Sequence, residues 1–241
     1  AALQQYPTRL LGTYLNDGTG AFGPPSLVPL APVESEYGSS TFVAAGDIDG
    51  DGDADAVATD VAGEYAPIGA GFRTVALVAV NDGTGTFTPA ASAVEVGPPD
   101  GSHRAHPPVL ADFDEDGSLD LAIGGGGTVT TLLADGAGGF EAPRQTVLVL
   151  NAIHFVTPGD VDGDGNLDLV GMHDPRSGIV TYGDGTGGFD DFHQVLTGSS
   201  TDGVGGTQVA LADLDGDDDP DFLFLAGTLG VLENVHGRPL H

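Results

Sequence analysis

One acidic nonapeptide recurs four times in this chain, and any fold it adopts must place four such clusters where their charge is neutralised. The copies are Asp47-Ile-Asp49-Gly-Asp51-Gly-Asp53-Ala-Asp55, Asp112-Phe-Asp114-Glu-Asp116-Gly-Ser118-Leu-Asp120, Asp160-Val-Asp162-Gly-Asp164-Gly-Asn166-Leu-Asp168 and Asp213-Leu-Asp215-Gly-Asp217-Asp-Asp219-Pro-Asp221. Carboxylates at positions 1, 3, 5 and 9 repel one another in a partly desolvated turn unless a cation sits among them. Oxygen-only donors on a flexible loop suit calcium better than the smaller, stricter magnesium. The expected donors are the side chains of Asp47, Asp49, Asp51 and Asp55, of Asp112, Asp114, Asp116 and Asp120, of Asp160, Asp162, Asp164 and Asp168, and of Asp213, Asp215, Asp217 and Asp221. Position 7 (Asp53, Ser118, Asn166, Asp219) is expected to add a backbone carbonyl in each, giving up to four calcium ions.

Charge follows from this motif. The formal net charge is −30, and of the 29 aspartates 19 fall inside the four loops. Four divalent ions would offset eight of those charges, and the remainder still repels nucleic acid and anionic membrane surfaces. No apolar run approaches the ~20 residues of a membrane span, so membrane insertion is not expected. Cysteine is absent, so disulfides say nothing about compartment.

A second motif alternates with the first: Asn16-Asp17-Gly18-Thr19-Gly20-Ala21-Phe22, Asn81-Asp82-Gly83-Thr84-Gly85-Thr86-Phe87, Asp135-Gly136-Ala137-Gly138-Gly139-Phe140 and Asp184-Gly185-Thr186-Gly187-Gly188-Phe189. Such Asp-Gly stretches between short apolar runs predict hairpin turns. Each repeat then reads as strand A, acidic loop, strand B, variable loop, strand C, glycine turn, strand D, with D beginning at the phenylalanine. The first aspartate recurs at intervals of 65, 48 and 53 residues, and no helical periodicity is present. The expected architecture is all-β, with a C–D hairpin at 8–31 and repeats at about 40–97, 106–150, 153–198 and 206–236.

On these motifs the chain resembles the FG-GAP/VCBS repeat family, whose calcium-loop blades also build integrin α-chain propellers. The resemblance implies one β-propeller over 1–241 with calcium in the A–B loops of one face. Four blades closed by the N-terminal strands is the expected ring, and a piece of a longer propeller is the alternative. Two positions depart from the pattern: Glu115 replaces glycine at position 4 of the second loop, and Asp218 replaces glycine at position 6 of the fourth.

Histidines give a second candidate site. His106 and His154 each lie six residues before the first aspartate of their loops, His103 is close to His106, and His173 ends a strand B. Four imidazoles around a channel mouth would suit zinc or copper; the alternative is ordinary loop histidines bonded to carbonyls. Catalysis has little support: there is no nucleophile elbow, Cys or Lys, and calcium-bound carboxylates are poor general acids and bases. The leading expectation is a secreted, extracellular or periplasmic binding or adhesion module for a protein or carbohydrate ligand. Its binding rim is expected in the segments 62–73 and 97–108, with Arg104. A metal-dependent enzyme or metal carrier using the histidines is the rival, and a non-catalytic part of a larger secreted enzyme is a third reading. The start at Ala1 without Met fits a mature secreted form or an excised fragment.

Overall fold

A computed structural model describes residues 9–30, 41–62, 73–91, 93–96, 106–125, 127–147, 153, 155–174, 177–190, 193–196, 209–225 and 229–234. All regular structure in them is antiparallel β. No helix among them is long and apolar enough to cross a membrane. The segments 63–72 and 97–105, and with them Arg104, lie outside the described residues.

The strands form a series of meanders in chain order. The N-terminal hairpin is β1 (Leu10–Thr13) with β2 (Ser26–Pro29). The first full repeat is β3 (Phe42–Gly46), β4 (Asp55–Ala62), β5 (Arg73–Asn81) and β6 (Phe87–Pro89), with β7 (Val94–Glu95) also pairing β5. The second is β8 (Pro108–Ala111), β9 (Asp120–Gly125), β10 (Thr128–Leu132) and β11 (Arg144–Val147). The third is β12 (Val156–Gly159), β13 (Asp168–Asp174), β14 (Ser177–Thr181) and β15 (His193–Leu196). The last sheet orders β16 (Val209–Ala212), β17 (Asp221–Leu225) and β18 (Leu229–Leu232). Every acidic nonapeptide joins the first two strands of its sheet, as its spacing predicts.

The D strands correct the expectation that they begin at the turn phenylalanine. Only β6 does so. Phe22, Phe140 and Phe189 instead make isolated bridges to Asn16, Ala134 and Gly183, and β2, β11 and β15 start four residues later. Pro24, Pro25 and Pro143 occupy the gap in two of these and cannot donate to a ladder. In the third repeat the Asp190 side chain accepts from Tyr182 N–H at 3.0 Å, taking the place of a ladder carbonyl.

The chain divides into two compact units, Ala1–Leu110 with Ala134–Glu141, and Ala111–Leu133 with Ala142–His241. In the first, β4 is buried along its whole length, so its Ala and Val side chains are covered on both faces. Its core gathers Leu30, Ala58, Ala62, Val75, Leu77 and Ala79, packed by Leu11, Phe87 and Ala93. Arg9 closes this unit from the N-terminal hairpin: its guanidinium pairs with Asp60, which is fully buried at the end of β4. Such a pair is costly to break from one side, because the partner charge stays buried. In the second unit Val161, Val170, Met172, Val180, Phe222 and Phe224 form the core. There β16 packs against β12, and Thr157 Oγ1 donates to the Val209 carbonyl at 3.1 Å, so the A strands of the third and fourth repeats are neighbours.

Candidate metal centres

Each nonapeptide folds into the same knot of side-chain-to-backbone hydrogen bonds, so sequence spacing translates directly into geometry. The position-1 carboxylate spans its own loop. Asp47 Oδ1 accepts from Gly50 N–H at 2.8 Å and Oδ2 from Gly52 N–H at 2.8 Å, and Asp160 and Asp213 repeat the pattern. Asp112 differs slightly, accepting from Asp116 and Gly117 N–H. The position-3 carboxylate accepts from position 5, and position 5 from position 7.

This winding needs left-handed backbone at positions 4 and 6. Gly50 and Gly52 have φ of 77° and 95°, and the other loops follow, including the two non-glycine residues: Glu115 at 61° and Asp218 at 72°. A Cβ in that region costs about 1–2 kcal/mol, so loops two and four carry strain that loops one and three do not.

Position 9 differs in kind from the other acidic positions. Asp55, Asp120, Asp168 and Asp221 are buried to 1% exposure or less. Oδ2 of each accepts from the position-2 N–H of Ile48, Phe113, Val161 or Leu214 at 2.8–2.9 Å. Oδ1 accepts from the end of strand C in three of them: Asn81 N–H to Asp55, Gly183 N–H to Asp168 and Asn234 N–H to Asp221, at 2.8–2.9 Å. One carboxylate therefore ties the acidic loop to a strand beyond its own hairpin.

Positions 1, 3 and 9 converge. In each loop (Asp47, Asp49, Asp55; Asp112, Asp114, Asp120; Asp160, Asp162, Asp168; Asp213, Asp215, Asp221) the three carboxylates offer ligand oxygens within 4.8 Å of one another. That spread is what opposite oxygens around a calcium ion span, at about 2.3–2.6 Å from ion to ligand. The position-5 carboxylates Asp51, Asp116, Asp164 and Asp217 stand outside these groups, each occupied by the N–H of position 7.

Four of these carboxylates are held above their ordinary range by burial and by one another. Burial pushes Asp168 up to about 6, with Asp162 and Asp160 adding to the rise and hydrogen bonds from Val161 and Gly183 opposing it. Desolvation and neighbouring carboxylates likewise push Asp49, Asp162 and Asp215 above the ordinary range. An all-oxygen donor set carrying three like charges fits a hard divalent cation, and the loops would use it to hold each A–B hairpin closed.

The glycine turns lie against these loops. A side chain on Gly83 would collide with Asp53 Oδ2 at 2.3 Å, and one on Gly185 with Asn166 Oδ1 at 2.4 Å. The following glycine of the turn meets the preceding repeat: Gly85 lies on Leu15, Gly138 on Val80 and Gly187 on Leu133. Gly187 N–H also donates to the Phe113 carbonyl at 3.0 Å, and Phe189 meets the Phe113 ring edge-on at 5.7 Å. Asn234 Nδ2 makes the equivalent bond to the Val161 carbonyl at 2.8 Å.

The repeat now has a decisive match. The model for the FG-GAP-like repeat matches residues 9–58, 112–171 and 160–224. The chain belongs to the FG-GAP-like repeat family. No curated protein matches this FG-GAP-like chain. Among solved structures it is similar to a lectin from Agrocybe aegerita, described for specific recognition of non-reducing terminal N-acetylglucosamine. The identity there is 19% over 88% of this chain and 68% of the lectin chain, with a TM-score of 0.43. It is also similar to the Tc holotoxin pore of Photorhabdus luminescens, at 21% identity over 97% of this chain and TM-score 0.42. TcdB2–TccC3 matches at 16% over 93%, with TM-score 0.39. The FG-GAP-like chain spans 10% and 13% of those two toxin chains.

The histidine expectation falls largely outside the described residues. His103 and His154 lie outside the described residues, and of His173 only its place on β13 is described. His106 is buried, and its carbonyl accepts from Thr59 Oγ1 at 2.7 Å. Among the described residues every group able to hold a metal is made of aspartates alone.

Proposed function

We propose that this FG-GAP-like chain is a calcium-stabilised β-propeller that serves outside the cell or in the periplasm as a binding module for a protein or glycan. The observation that carries the calcium part is the recurrence of one three-aspartate group in four loops of one design. Family membership and the neighbouring A strands of the third and fourth repeats support the propeller. Calcium is structural in this reading: it binds the folded loop and stabilises it through that preference. The chain is then a rigid scaffold whose ligand-binding rim lies away from the acidic loops, and the chemistry of the ligand is read by loops rather than by metal. Compartment follows from the same argument, because extracellular calcium modules work at millimolar calcium.

The test is binding of the full chain to arrays of immobilised glycans and extracellular proteins, in millimolar calcium and in EGTA. Saturable binding that EGTA abolishes together with the thermal upshift supports the reading. A protein that gains stability from calcium yet binds nothing in either condition would leave the ion and remove the binding module.

A further inference from the structure

Each repeat seats its glycine turn on the repeat before it, so the two ends of the series are left unlike. Gly85, Gly138 and Gly187 lie on Leu15, Val80 and Leu133, at the end of the preceding strand C. Thr131 Oγ1 donates to the Gly187 carbonyl at 2.9 Å, and Phe189 packs edge-on against Phe113. One face of strand C and position 2 of the acidic loop therefore look toward the following repeat. The described residues hold no repeat before β1 and none after β18.

On the N-terminal hairpin the face that looks backward is bare. A side chain on Gly20 would meet nothing within 4 Å, and Phe22 is 66% exposed where Phe87, Phe140 and Phe189 are half-buried. Tyr14 is 58% exposed, although Ala79, Leu132 and Thr181, each likewise three residues before the turn aspartate, are fully buried. Leu10 shares the Tyr14 face by alternation, and Leu27, paired with Gly12, extends it. On the last sheet the face that looks forward is bare. Val231 is 51% exposed, whereas Val78 and Val180, at the same distance from the strand C N–H donors Asn81 and Gly183, are buried. Leu214 is 52% exposed, whereas Ile48, Phe113 and Val161 at position 2 of the other loops are buried. The third place in this sheet is already filled by β18, so β1 has no edge of β17 to add to.

We infer that these bare faces are the two halves of a head-to-tail interface between copies of this chain. The hairpin of one copy seats Phe22 and Tyr14 on Leu214 and Val231 of the next. Continuity with the contact already made between repeats sets the occupant, because each half reproduces its chemistry: a turn phenylalanine on one side, a position-2 side chain and a strand C face on the other. The halves are different surfaces, so the contact is heterologous, and copies joined through it form a closed ring or an open row. Each copy carries a net charge of −30, so this apolar association works against mutual repulsion and strengthens as salt screens it.

Sedimentation velocity of the full chain across a concentration series, at low and high salt, should show reversible association that grows with both. Phe22→Glu disables the hairpin half and Val231→Glu the sheet half. Both side chains are exposed, so each variant should keep the wild-type Tm while association weakens by about tenfold or more. Leu10→Gln, on the same hairpin face, replaces Phe22→Glu if that variant does not fold. An equimolar mixture of a hairpin variant and the sheet variant is the sharper test. Each retains the half that the other has lost, so the two should pair one to one and stop at the heterodimer. A wild-type chain that stays monomeric at every concentration overturns the inference, as does association that either variant leaves intact. A mixture that stays monomeric while the wild type associates also overturns it, since the two faces then do not meet.

Discussion

Two kinds of aspartate turn alternate along this chain, and they handle the same charge in opposite ways. In the glycine turns a lone carboxylate is satisfied locally. Asp17 accepts from Thr19 Oγ1 and N–H, and Asp82 from Thr84 Oγ1 and N–H, which pull both below the usual carboxylate range. Burial works against Asp184, yet the same bonds from Thr186, joined by Gly188 N–H, bring it below that range too. In the acidic loops Asp49, Asp162, Asp168 and Asp215 are pushed the other way, by desolvation and by one another. A turn with one charge and two or three donors is complete by itself. A turn with three converging charges is, in the proposed reading, completed by an ion.

The largest test of this contrast is Asp168→Ala. It leaves the buried Val161 N–H and the half-buried Gly183 N–H without their acceptor, and an orphaned buried group costs about 1–3 kcal/mol. Denaturant unfolding should show that loss in EGTA as well as in calcium, since the carboxylate ties two strands whether or not an ion is present.

Asp162→Asn probes the other role. It keeps the position-3 acceptor for Asp164 N–H but removes one charge from the group. In calcium it should lose about 3 kcal/mol, the linkage expected at a hundredfold excess over Kd. In EGTA it should be neutral or stabilising, because a repelling neighbour of Asp160 and Asp168 is gone. A loss of equal size in both conditions would erase the distinction between positions 3 and 9.

Stability against pH should separate the two turn types without mutation. Asp168 has a folded value of about 6, above the unfolded 3.8, so the fold binds its proton more tightly than the unfolded chain does. Without calcium, stability from this group falls as pH rises from about 4 through about 6. Asp17, Asp82 and Asp184 lie below 3.8, so their contribution is present above that value and fades as pH drops beneath it. Calcium should flatten the first slope and leave the second. Identical profiles with and without the ion would contradict this.

The smallest effect belongs to Thr186→Val, which removes one exposed hydrogen bond to Asp184. About 0.5–1 kcal/mol should be lost, equally in calcium and EGTA.

Much of this was legible in the sequence because the signals are local. Nine-residue spacing and Asp-Gly turns mark where strands end, and the strand–loop–strand order they predict is the order observed in the described residues. What spacing cannot show is contact between distant residues. Positions 1, 3, 5 and 9 look alike on paper, yet position 9 is the buried one because strand C, 13 to 26 residues away, closes over it. Position 5 accepts from the N–H of position 7 in its own loop and stands outside the converging group. Proline placement explains two of the three late D strands and was readable in Pro24, Pro25 and Pro143. The left-handed backbone at Glu115 was foreshadowed by the glycines standing at position 4 in the other three loops.

The central claim is that ions complete the four acidic loops. Calorimetric titration of calcium into EGTA-stripped, dialysed protein, paired with thermal unfolding at each end point, tests it most directly. The account predicts binding heat saturating at up to four ions per chain and a rise in Tm of roughly 10 °C or more, given about 2–3 kcal/mol per occupied site. No heat and no shift in Tm would contradict it.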